Sequence, residues 1–112
     1  RKKMRKEINI TKGINNISEL LVLSGRSLGE KQREKLQLEN TDKDQNQYVI
    51  NIPNNIVSIN PSFFLGLFGK SVRFFKTKEE FLEKYKFECN SNALITIYDG
   101  INDALNNIDV LG

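Results

Sequence analysis

Between Ile56 and Gly69 the chain changes character at one point. Ile56-Val57-Ser58-Ile59 has the extended, β-branched composition of a short buried strand. From Phe63 the apolar residues fall at helical spacing, through Phe64, Leu67 and Phe68. The switch comes at Asn60-Pro61-Ser62. Asn60 has the side chain of an N-cap, able to accept a backbone N–H of the first turn. Pro61 fits the first helical position, where its missing N–H costs nothing. Ser62 then lies in the first turn, at the positive end of the helix dipole, where an anion is favoured. The expected helix closes near Gly69, read as its C′ residue. A strand that turns this sharply into an apolar helix belongs to an α/β architecture.

The flanking segments extend that pattern. Glu7-Ile8-Asn9-Ile10 alternates as a strand, and Leu20-Leu21-Val22-Leu23 is short enough for a second, paired with the first as a hairpin. Ser27 and Glu30 have capping-box spacing, so a polar helix is expected from Leu28 to Glu39, followed by a polar connection from Asn40 to Gln47. Tyr48–Ile52 reads as a strand ended by Pro53. All seven phenylalanines lie between Phe63 and Phe87. They read as core, with Phe74 and Phe75 in an expected strand Val72–Phe75. Thr77 and Glu80 make a second capping pair. Phe87–Cys89 is a last strand, and Asn90-Ser91 caps a final helix with apolar residues from Leu94 to Ile108 on one face. The expected fold is a single α/β domain, a mixed sheet of four to five strands with helices packed on it. It spans residues 7–112, after a basic arm at 1–6.

Composition removes several chemistries. The 112 residues include no histidine, the commonest general base and metal ligand. Cys89 stands alone, which excludes an internal disulfide, makes a poor nucleophile and fits a reducing, cytoplasmic compartment. Asp99 and Asp103 share a helix face but read as solvated, so no metal site is expected. No phosphate-binding glycine loop occurs, and no cofactor is expected. No apolar run reaches the roughly 18 residues of a membrane span, and no leader pattern is seen. The sequence points away from catalysis.

Net charge is +3, but its distribution is uneven. Arg1, Lys2, Lys3, Arg5 and Lys6 precede the first acid, and the remainder holds 12 basic and 14 acidic residues, a charge of −2. A basic arm can bind nucleic acid, which makes a nucleic-acid-associated subunit one alternative. An oligomeric structural subunit, with part of the phenylalanine cluster at an interface, is another.

The order of elements and the strand–Asn60-Pro61-Ser62–helix junction resemble a STAS domain, the fold of bacterial anti-sigma factor antagonists. A closer resemblance is to small bacterial STAS-like domains of unknown function. Their Arg-x-x-Gly at the first helix start is matched by Arg26-Ser27-Leu28-Gly29, their apolar strand by Tyr48–Ile52, their Ser-Phe by Ser62-Phe63 and their closing Phe-Gly by Phe68-Gly69. The resemblance covers residues 7–107. It implies a non-enzymatic regulatory module that binds a protein partner, a histidine-kinase-like ATPase or another regulatory subunit. The implied surface comprises Arg26, Ser27, Asn60, Pro61 and Ser62. In the antagonists the junction is Asp-Ser-Ser-Gly, with the first Ser phosphorylated. Laid on this chain without a gap, the Asp falls on Asn60, the modified Ser on Pro61 and the second Ser on Ser62. Ser62 is therefore the nearest candidate phosphoacceptor, and Ser58, expected to be inaccessible in mid-strand, a distant second.

Overall fold

The computed structural model describes residues 5–14 and 21–106. Its elements in chain order are β1 (Arg5–Asn9), β2 (Leu21–Leu23), α1 (Arg26–Leu36), α2 (Leu38–Lys43), β3 (Gln47–Asn51), β4 (Ile56–Ile59), α3 (Pro61–Phe75), α4 (Lys78–Lys84), β5 (Tyr85–Glu88) and α5 (Ser91–Asn106). The α/β expectation holds at this level. The sheet is organised differently from the expectation. The described strands form a three-stranded sheet in the order β1-β3-β5 and a separate two-stranded pair, β2-β4. All three strand pairings are parallel, so neither a mixed sheet nor the hairpin of the first two strands forms. Each strand pairs with the next but one in the chain, and helical crossovers supply the return path that parallel pairing needs.

Burial explains which strand lies central. Tyr48, Val49 and Ile50 of β3 are all buried, the continuous apolar run of a strand covered on both faces. β1 is an edge strand, and Arg5, Lys6 and Glu7 on it are exposed. Arg5 pairs with Gln47 and Lys6 with Tyr48, so these two cations belong to the sheet and not to an arm. Charged side chains on an edge strand discourage pairing with other chains. Arg1, Lys2 and Lys3 lie outside the described residues.

The helix α3 runs to Phe75 and absorbs both the expected stop at Gly69 and the expected strand Val72–Phe75. Its buried face continues past Gly69 through Ser71 and Val72, and the chain leaves helical geometry only at Lys76, which takes the left-handed conformation. The packing of this face outweighs the β preference of Val72 and the two phenylalanines after it. Phe63, Phe64, Phe68 and Phe81 are fully buried, and Phe68 makes ring contacts with Phe64, Phe81, Tyr85 and Phe87. The phenylalanine cluster is therefore core, with Phe74 its one exposed member.

The capping expectations divide. Thr77 Oγ1 accepts from the Glu80 N–H, and Asn90 Oδ1 from the Ala93 N–H, as read. The Ser27–Glu30 box does not form: α1 begins two residues earlier, after Gly25, with no side-chain cap. Gln37, in left-handed geometry, ends α1, and α2 occupies part of the expected polar connection.

Helices α1 and α3 cross with almost no side chain between them. A Cβ on Gly29 would lie 2.3 Å from the Phe63 carbonyl oxygen, and one on Gly66 would lie 2.3 Å from the Arg26 carbonyl oxygen. Only glycine fits on either side of this crossing. The close approach sets the starts of α1 and α3 next to each other.

A cluster beside β3 gives a pH-dependent contribution to stability. Lys84 Nζ donates to the Asp44 carbonyl oxygen and to Asp44 Oδ1, both at 2.7 Å, and the Tyr48 hydroxyl donates to Asp44 Oδ2. Burial pushes the Asp44 carboxyl up, but the bonds from Lys84, Tyr48 and the Asn46 N–H outweigh it and hold it below its ordinary 3.8. A carboxylate with a depressed folded pKa stabilises above its unfolded value and loses that contribution as pH falls through the folded value. Stability of the native chain should therefore drop below about pH 4, and Asp44→Asn should flatten that drop. Because Asp44 is partly exposed, the difference is of the order of 1 kcal/mol or less. Urea unfolding between pH 2 and 6 checks it, and identical slopes for both chains would remove Asp44 as the cause.

Candidate docking surface at the strand-to-helix junctions

Because β2 and β4 are parallel neighbours, their carboxyl ends lie together. Each runs into a helix: β2 through Ser24-Gly25 into α1, β4 through Asn60 into α3. In open α/β sheets such ends are where ligands are met, since loops and helix starts converge there. Two hydrogen bonds tie the junctions. The Asn60 N–H donates to the Leu23 carbonyl at 2.8 Å, extending the ladder by one residue. The Gly25 N–H donates to Ser62 Oγ at 3.2 Å. Gly25 turns the chain at φ 95°, a left-handed conformation that glycine adopts without strain.

The five residues expected at a partner surface, Arg26, Ser27, Asn60, Pro61 and Ser62, are thus brought to one place. Ser27, Asn60, Pro61 and Ser62 are exposed and Arg26 is half-buried. Pro61 stands at the first helical position as expected, and Asn60 is the cap residue by position. Its side chain makes no capping bond. The backbone carbonyl does the work, accepting from Phe63 at 3.0 Å and Phe64 at 3.3 Å. The Asn60 side chain is therefore available at the surface. Ser62 binds the loop across the junction and leaves its own helix end without a side-chain cap, a pairing that sequence spacing cannot show. Ser58, expected to be shielded, is exposed as well. Val22 and Val57, on β2 and β4, are 57% and 54% exposed and add an apolar margin.

The other residues singled out lie elsewhere. Cys89 is half-buried against the core, and burial pushes its thiol up from its ordinary value, the direction of an inert cysteine. Asp99 is exposed and Asp103 half-buried on α5, and no group of three or more metal-ligating side chains occurs among the described residues. No helix among them is long and apolar enough to cross a membrane.

Sequence reasoning missed the buried polar network behind α3. Asp42 accepts from Ser71 Oγ at 2.8 and 2.9 Å, from the Tyr85 hydroxyl at 2.5 Å and from Arg33 Nη2 at 2.9 Å. Arg33 Nη1 also donates to Ser71 Oγ and the Leu67 carbonyl. Burial, the Asp42 carboxylate bonded to it and that group's charge all keep the Tyr85 proton in place well above pH 10. A signal existed: Ser71 falls within the otherwise apolar buried face of α3, where a polar side chain must find a partner.

No protein-family model matches this chain, and neither a curated protein nor a solved structure matches it.

Proposed function

We propose that this chain is a non-enzymatic, STAS-like regulatory module that docks a protein partner on the paired junctions at Gly25–Ser27 and Asn60–Ser62. The Gly25 N–H to Ser62 Oγ bond carries the reading, because it joins the two segments into one exposed surface. The partner class that fits the resemblance is a histidine-kinase-like ATPase or another regulatory subunit. Ser62 is the residue at which charge would control docking. Phosphorylation there adds about −1.5 to −2 charge and replaces a hydroxyl that accepts one backbone N–H.

The test compares Ser62→Asp with Ser62→Ala in quantitative affinity purification from the native cell. Ser62→Ala leaves an exposed N–H to water and should keep partner recovery within about threefold, since such a bond contributes about 0.5–1.5 kcal/mol. Ser62→Asp should cut recovery at least tenfold. An acid in the first helical turn stabilises α3 by about 0.3–1 kcal/mol, so the loss cannot be assigned to unfolding. Equal recovery by the two variants would sink the charge-sensitive junction.

A further inference from the structure

Beside the junction, a groove of about 610 Å³ runs between α1 and α3. Its α1 wall presents Glu30 and Glu34, one turn apart, together with Arg26 and Arg33, and its α3 wall presents Lys70 and Arg73. No ion pair within 4 Å joins these six charges to one another. The Arg73 guanidinium folds back over Gly69, where a Cβ would lie 3.8 Å from its nitrogens. Its Nη1 is shut off from water and has no hydrogen-bond partner. A buried donor left unpaired is costly, and rotation of the half-buried Arg73 side chain toward the groove would let an oxyanion relieve that cost.

From this arrangement we infer that the groove binds a charged peptide segment of the protein partner, with a carboxylate on Arg73 and basic side chains against Glu30 and Glu34. The inference rests on the protein-binding reading and supplies the chemistry of the partner. The volume far exceeds a single ion, and a water molecule takes only about 30 Å³ of liquid. Glu30 and Glu34 stand against a polyanion such as nucleic acid, whereas a chain bearing both signs matches the carboxylates of α1 and the cations of α3.

The probe is a blocked ten-residue peptide of two Glu-Ala-Ala-Ala-Lys repeats, titrated into the full chain and followed by amide chemical shifts. Parallel arms use the same peptide with Glu for Lys, inorganic phosphate, and a short single-stranded DNA. The mixed peptide should give saturable shifts along residues 26–37 and 65–73. Arg73→Gln should weaken it at least tenfold, and Arg73→Lys, which keeps charge but not the planar fork, by less. Glu30→Lys with Glu34→Lys should transfer preference to the all-acidic peptide. Absent saturation, an unchanged Arg73→Gln, phosphate reproducing the shifts, or DNA binding as tightly would each overturn the inference. Shifts at Gly25, Asn60 and Ser62 with a silent groove would also overturn it while leaving the junction standing. Groove binding together with equal Ser62→Asp and Ser62→Ala recovery would do the reverse.

Discussion

Asp42→Ala should destabilise the chain by about 3–5 kcal/mol, a large share of the total stability of a domain this size. The carboxylate is 4% exposed and is held by Arg33, which is 12% exposed. Removing it leaves a largely desolvated guanidinium without its counter-charge and takes an acceptor from both Ser71 and Tyr85. Breaking one side of a buried pair costs far more than the pair's net contribution, because the survivor keeps its desolvation penalty. Arg33→Met in the same chain should therefore recover part of the loss. A urea-unfolding double-mutant cycle measures this, and strict additivity would show that the two side chains are not coupled. The network ties α1, α2, α3 and β5 together, so its loss loosens the wall of the α1–α3 groove as well as the core.

Gly66→Ala should cost about 3 kcal/mol, and Gly29→Ala about as much, at the upper end of overpacking penalties. In each case the added methyl meets a backbone carbonyl oxygen, which cannot rotate aside as a side chain can. The helices must separate, and separation exposes the apolar face of α3 beneath them. The double variant should lose clearly less than the two single losses together. Once the crossing has opened for one methyl, the second finds space. Thermal unfolding of the three variants checks this. A Gly66→Ala chain as stable as the native one would mean that the crossing is slack. Separation would also pull Gly25 away from Ser62, so under the docking proposal the variants should lose partner recovery in proportion.

The sequence shows the junction more clearly than the topology around it. Pro61, the β-branched residues before it and the helical spacing after it each have a local physical cause, and the structure places that strand and the start of that helix as read. The caps at Thr77 and Asn90 are legible for the same reason. Local signals failed where a distant partner decided the outcome. Val72–Phe75 has strand composition but lies in a helix whose face is buried against the rest of the core. Gly66 and Gly69 look like a helix ending, yet one accommodates a crossing and the other the Arg73 side chain. Ser62 was legible as a residue in the first turn, but its bond to Gly25 depends on the register of β2 against β4, which no local spacing encodes.

The pairing of each strand with the next but one has a consequence for how the chain reaches its native state. No two consecutive strands among those described form a hairpin, so no piece of sheet can nucleate from adjacent sequence. Every pairing has to await closure of a long intervening segment, whose entropy is lost before any ladder bond compensates it. Helices α1 and α3, by contrast, form from local contacts, and their glycine crossing can bring β2 and β4 into register. Refolding should therefore be slow for a chain of this length, as non-local topology dictates. Gly29→Ala and Gly66→Ala should then slow folding as well as hasten unfolding, which would identify the helix crossing as the nucleus on which the parallel strands are assembled.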